Sequence, residues 1–267
     1  MTLNSYQSRI VSLAQVFREE WSQSERVLTE IDSDAKKMVS FEGQCYFLCM
    51  TPRSGSSYIA DVLQQTQTVG DCAEHFPAEY GGQVPSWMTA CKDFREVFEK
   101  LQQRSSPSAW FGIKGSLTQF FPLMCAGVFG NPTMQIRYLY LRREDLIAQA
   151  ISLSRAIKTG EWHSTYAPCS DPEISMDELI TNLRLLRRME ADWEVIFSVL
   201  GIMPLRLTYE QCLNSPFDTF ESIRKLLGIS WRVNPLTIKS RFSSLSEKQD
   251  SLWRRRLYTQ LAEFAAE

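Results

Sequence analysis

No run of apolar residues in this 267-residue chain approaches the roughly 18 to 20 that a transmembrane helix requires. The N-terminal stretch MTLNSYQSRIVSLAQVFREEW holds Arg9, Arg18, Glu19 and Glu20 where a signal peptide would have an uninterrupted apolar core, and it contains no cleavage site. Excess positive charge is missing too. The formal net charge is −2, so no overall basicity argues for nucleic acid, although a local basic site is not excluded. The seven cysteines (45, 49, 72, 91, 125, 169 and 212) are odd in number and scattered, and no pair has metal-ligand spacing. They read as reduced thiols acting as small hydrophobes. No internal repeat or low-complexity tract occurs. These absences predict a cytoplasmic protein without a metal. The length fits one large domain or two small ones, and the composition (44% hydrophobic, 22% charged, 12% aromatic) is that of an ordinary globular chain.

What is present has a clear order. Residues 5 to 30 place Ile10, Leu13, Ala14, Phe17, Trp21 and Val27 at helical spacing, which predicts a helical N-terminal extension over 1–40 packed on the rest of the chain. From residue 44 onward, strand-like runs (CYFLCM, WFGIKG, MQIRYLYL, MPLRLTY) alternate with helical patterns near 57–65, 93–104, 117–128, 144–159, 175–200 and 216–227. Gly201 and Gly228 close the last two. Strands buried on both faces and separated by helices predict a three-layer α/β/α domain over 41–267. Its central sheet would be parallel, with ligands at the carboxyl ends of the strands.

The first such end reads TPRSGSS, residues 51–57. Gly55 permits close backbone approach, and the free N–H groups and dipole of the helix that it opens favour an anion. A nucleotide-triphosphate loop would need a Lys near the terminal phosphates. This loop has none; Arg53 stands ahead of the glycine, where its planar fork suits a tetrahedral oxyanion. A plain Ser/Gly-rich turn with a surface Arg is the alternative. The segment YLYLRREDLIAQAISLSRAIKTGEWHS puts Arg142 and Arg143 at a second strand end, with Asp145, Gln149, Ser152 and Arg155 along the next helix. Asp145 there is good capping chemistry. Arg143 and Ser152 provide for a second phosphate, with TGEW closing over the ligand. Two oxyanion sites on adjacent strand ends suggest a nucleotide phosphorylated at two separate positions.

These residues resemble a known family. RSGSS at 53–57, Arg143 with Asp145, QAIS at 149–152 and KTGEW at 158–162 match segments of the PAPS-dependent sulfotransferases of the bacterial trehalose 2-sulfotransferase type (PAPS is 3′-phosphoadenosine-5′-phosphosulfate). GDCAE at 70–74 partly matches that family's G-E-P-x-E segment. LTYEQCLNSPFDTFESIRKLLGI resembles a block seen widely among sulfotransferases. The resemblance covers about residues 44–256. Ser57 replaces the family's Thr, Cys72 its Pro, His75 an aromatic residue and Lys158 a Gln.

The resemblance implies a P-loop-like nucleotide-binding fold and transfer of a sulfuryl group from PAPS to a hydroxyl of a carbohydrate or small metabolite. Arg53, Ser54, Gly55, Ser56 and Ser57 would hold the 5′-phosphosulfate, and Arg53 with the loop N–H groups would also stabilise the charge growing on the departing phosphate oxygen. Arg143 and Ser152 would hold the 3′-phosphate, with Arg142 as substitute if the register is off by one. Lys114 would polarise the sulfuryl group, its alternative being a solvated lysine at a strand end. Glu74 would be the base, with His75 as rival. HFPAEY and PSWM (75–88) suit either a stacking wall for a sugar or loop core, and His163 a helix end. DSLWRRRLYTQLAEF reads as a surface helix with Leu252, Leu257 and Leu261 packed inward. The partners implied are a small-molecule or sugar acceptor and no nucleic acid, with a homodimer left open. A degenerate member that binds the nucleotide without turnover is the competing reading, and a nucleotide kinase is disfavoured by the missing Lys.

Overall fold

The computed structural model describes residues 3–17, 41–76, 86–105, 110–132, 134–162, 172–242 and 253–259. Five parallel strands form one sheet in the order β2-β3-β1-β4-β5: β1 Gln44–Met50, β2 Cys72–Ala73, β3 Trp110–Gly115, β4 Ile136–Arg142 and β5 Leu205–Thr208. The longer four fall in the four expected runs. β2 is two residues long and paired only with β3, at Cys72↔Gly112 and Ala73↔Ile113. MPLRLTY is a strand only over Leu205–Thr208, because Thr208 caps a new helix through its hydroxyl, which accepts from Gln211 N at 3.2 Å.

Successive side chains of β1 feed opposite cores, as the period of a strand requires. Cys45, Phe47 and Cys49 enter a large aromatic cluster with Phe120, Phe129, Trp193 and Phe197. Tyr46 and Leu48 enter the other face with Ile59, Val62, Leu139 and Phe220. The sheet is thus sandwiched between helices. On the first face lie α1 Leu3–Val16, α4 Phe94–Arg104, α5 Leu117–Cys125 and α7 Met176–Leu200; on the second lie α2 Ser56–Gln65 and α9 Pro216–Leu227. Leu13 and Phe17 of the N-terminal segment are buried in the first core, and the rest of the expected N-terminal helix, 18–40, lies outside the described residues. Gly201 and Gly228 do end α7 and α9 in the left-handed conformation.

A third, smaller cluster joins α6 Leu146–Thr159 to α7 and to α10, residues 253–259, through Ile151, Leu186 and Leu257. Leu257 points inward as expected, while Leu252 and Leu261 lie outside the described residues. The remaining short elements are α3 Ser86–Thr89, α8 Tyr209–Asn214 and a 3-10 turn at Pro235–Thr237.

β1 lies between β3 and β4, so the chain's first strand end is where connections diverge to the two halves of the sheet. Open α/β sheets bind ligands at that point. The indole of Trp193 fixes it, donating to the Met50 carbonyl at 3.1 Å. No helix among the described residues is long and apolar enough to cross a membrane.

Candidate active site

The loop 51–57 leaves β1 and turns into α2 through Gly55, at φ 87° and ψ 12°. Its cradle is tight. A Cβ on Gly55 would sit 2.2 Å from Tyr209 Cδ2. Gln149, buried in α6, holds the loop's first residues, its amide donating to Thr51 Oγ1 at 2.8 Å and to the Pro52 carbonyl at 2.7 Å. Ser54 is fully buried, and its hydroxyl makes no hydrogen bond.

Arg53 also has a positive φ, 63°, and its side chain reaches α6. Its Nε donates to Ser152 Oγ at 2.9 Å, and its guanidinium donates to the Trp162 carbonyl. Arg53 and Ser152, placed by sequence at separate phosphates, therefore touch. Burial first, and then the nearby charges of Arg143 and Arg155, lower the Arg53 guanidinium to about 10. Arg143 and Arg155 are thus close enough to Arg53 for their like charges to be felt there.

Arg143 and Arg142 part ways. Arg143 stacks over the Tyr209 ring (5.3 Å to the centroid) and lies 4.0 Å from Glu210 Oε1, with its buried Nε lacking a hydrogen bond. Arg142, the last residue of β4, is exposed, and its charge acts on Glu190 of α7. Glu210 does a second job: its carboxylate accepts from the backbone N–H groups of Glu144 (3.0 Å) and Asp145 (3.3 Å) at the start of α6. Asp145 is the cap of that helix, accepting from Ala148 N at 3.0 Å, and is also paired with Arg254 of α10.

On the other side of the loop, Lys114 is the next-to-last residue of β3. Its Nζ lies 3.1 Å from Ser57 Oγ and 3.0 Å from Glu74 Oε1. The lysine side chain is 7% exposed and the glutamate 37%. Lys114 is therefore no solvated strand-end lysine. Glu74 and His75 diverge, as neighbours in extended backbone do. His75 faces Asp71, with Nε2 4.0 Å from Oδ2, and its ring meets Trp87 edge-on. Burial first lowers the imidazole, with the Asp71 carboxylate opposing. Of the 75–88 segment, Phe76 and Met88 are core; residues 77–85 and His163 lie outside the described residues. No cluster of metal-ligating side chains occurs among the described residues.

The family model for Stf0 sulphotransferase matches residues 122–260, more than half of the chain. The protein belongs to this family. The Stf0 match takes in Arg143, Ser152 and Tyr209 but begins beyond the loop, Glu74 and Lys114, whose arrangement rests on their contacts in the structure. Among solved structures, the mouse sulfotransferase SULT7A1 complexed with PAP is similar at 14% identity, covering 84% of this chain and 70% of that one, with a TM-score of 0.44. No curated protein matches. As an Stf0 member the chain is a sulfotransferase. Sequence reasoning missed Tyr209 and Glu210 as parts of the site, although the block that contains them stood out.

Proposed function

We propose that the protein transfers the sulfuryl group of PAPS to a hydroxyl of a carbohydrate or small metabolite in the cytoplasm, through its 41–267 domain. The observation that carries this reading is the continuous line Ser57–Lys114–Glu74. It connects an anion-binding loop to a carboxylate at hydrogen-bond distance on either side of one ammonium.

The residues fit such a donor. The Gly55 cradle admits no Cβ, and the buried Ser54 hydroxyl and Arg143 Nε are polar atoms in want of partners. The loop N–H groups with Ser54, Ser56 and Ser57 would take the 5′-phosphosulfate. Arg143 and Ser152 would take the 3′-phosphate, joined there by Arg53. When bound, PAPS supplies the electrophilic sulfur and a leaving phosphate. Lys114 would polarise the sulfuryl group, and the loop N–H groups, with Arg53 drawn toward Ser152, would stabilise the negative charge that grows on the departing oxygen, where fixed donors act best. Glu74 takes the proton of the acceptor hydroxyl, and positioning accounts for much of the rest.

Isothermal titration calorimetry without Mg²⁺ should show PAP, the desulfated nucleotide, binding more tightly than AMP, ADP or ATP. Labelled sulfate from PAPS should appear on at least one member of a panel that includes trehalose, simple hexoses and small alcohols. Glu74→Gln should lower kcat by about 10² to 10⁴ and leave PAP affinity unchanged. Equal affinity for AMP and PAP removes the 3′-phosphate site, and PAP binding without any transfer favours the non-enzymatic reading.

A further inference from the structure

We propose that Gln119 is a positioning residue for the general base; this rests on the assignment of Glu74 to that role. Gln119 is 2% exposed. Its Oε1 accepts from Ser116 N at 2.8 Å and Ser116 Oγ at 3.2 Å, and its Nε2 donates to the Phe76 carbonyl at 3.0 Å and to Glu74 Oε2 at 3.3 Å. The orientation of the amide is forced. The Ser116 N–H can only donate and the Phe76 carbonyl can only accept, so the amide NH₂ has to face Glu74. Gln119 thus presents a donor to the carboxylate and never a competing acceptor.

Lys114 and Gln119 flank one turn between β3 and α5 and take different oxygens of the same carboxylate, Oε1 and Oε2. Glu74 itself comes directly after a strand of only two residues. Its own ladder gives it little support, and the β3–α5 turn supplies the rigidity. A carboxylate has about four lone-pair positions, so two such contacts leave room for an acceptor hydroxyl while fixing where it must approach. A loose base is a poor one, since small displacements of a reacting group are costly in rate.

Gln119 also has a purely structural job as the N3 residue of a capping box with Ser116, and Glu serves that position as well as Gln. Gln119→Glu separates the two roles. It keeps the cap acceptor but turns an oxygen toward Glu74 and Phe76. The test measures kcat and KM with PAPS and trehalose, or with the best acceptor among the hexoses and small alcohols, beside calorimetric PAP affinity and thermal unfolding. The variants are Gln119→Glu, Gln119→Met, Glu74→Gln and the double variant Glu74→Gln/Gln119→Met. Both Gln119 variants should lose about 10- to 100-fold in kcat, part of the general-base factor, with PAP affinity within about twofold. On the Glu74→Gln background, Gln119→Met should change kcat by less than about twofold, because its effect runs through Glu74. Should Gln119→Glu fail to fold, Gln119→Met and the double variant decide. Wild-type kcat in Gln119→Glu, or losses that multiply in the double variant, overturn the positioning role and leave the base intact. A fully active Glu74→Gln overturns the base itself, and no transfer to any acceptor overturns both.

Discussion

Replacing Gly55 by alanine tests the tightest point of the site. Two costs add. At φ 87° a residue with a Cβ occupies the left-handed region, at about 1–2 kcal/mol. The new methyl would also overlap the Tyr209 ring, with Cδ2 at 2.2 Å and Cε2 at 2.8 Å. That ring cannot retreat freely: the Arg143 guanidinium stands over it and Tyr58 meets it edge-on at 6.4 Å. Overpacking of this kind costs about 1–3 kcal/mol. The expected sum is about 2–5 kcal/mol, to be measured by urea unfolding monitored through tryptophan fluorescence and circular dichroism. On a Tyr209→Ala background the overlap disappears, and Gly55→Ala should cost only the backbone part, about 1–2 kcal/mol. A cost below about 1 kcal/mol for the single variant, or the same cost on both backgrounds, would refute the reasoning. PAP affinity should fall in the single variant, since a displaced Tyr209 carries Arg143 with it.

Arg143→Ala should weaken PAP binding by about 1.5–3 kcal/mol, the range for a hydrogen bond to a charged group, whereas Arg142→Ala should leave it unchanged because that side chain faces Glu190; calorimetry showing the reverse pattern would exchange their roles. His75 is lowered by burial, so below pH about 6.5 the unfolded chain takes up a proton that the folded chain does not. Stability should therefore fall by up to about 1.4 kcal/mol per pH unit until His75 itself titrates, and be indifferent to this group above that window. Thermal unfolding of wild type and His75→Gln between about pH 7.5 and 5 should diverge on the acid side, and parallel curves would contradict the burial of a neutral imidazole. The Cys72 thiol, pushed up to about 12 mainly by burial, should resist iodoacetamide at about pH 8 in the folded protein, and rapid labelling seen by mass spectrometry would contradict it.

The sheet and the loop were legible because their signals are local. β1, β3 and β4 announce themselves by continuous apolar and aromatic runs, and α7 and α9 by the glycines that end them. The turn at 53–57 is visible in its own composition, Gly and Ser directly after an apolar run. β2 was not legible: two residues leave no period, and only its pairing with Gly112 and Ile113 defines it. Equally hidden were the contacts that join distant segments, such as Gln149 on Thr51 and Gln119 on Glu74. Nothing in the neighbourhood of either glutamine in sequence tells of a partner. Arg53 illustrates a different limit. Its presence in the loop was plain, but its positive φ and its contact with Ser152 are properties of the folded turn.

The register of the sheet has a consequence for discrimination. Met50 lies opposite Leu141 in the ladder, so the loop and Arg143 spring from the ends of adjoining strands. Neighbouring strands keep a spacing of about 4.8 Å set by backbone hydrogen bonds, and it cannot be altered without unzipping them. If the loop and Arg143 each hold a phosphate, as proposed above, the separation of the two anion subsites is tied to that spacing, like the jaws of a calliper. A ligand is measured by how far apart it carries its phosphates as well as by how many it has. On the proposed assignment, a nucleotide with the same charge and its second phosphate on the neighbouring ribose oxygen would miss one jaw.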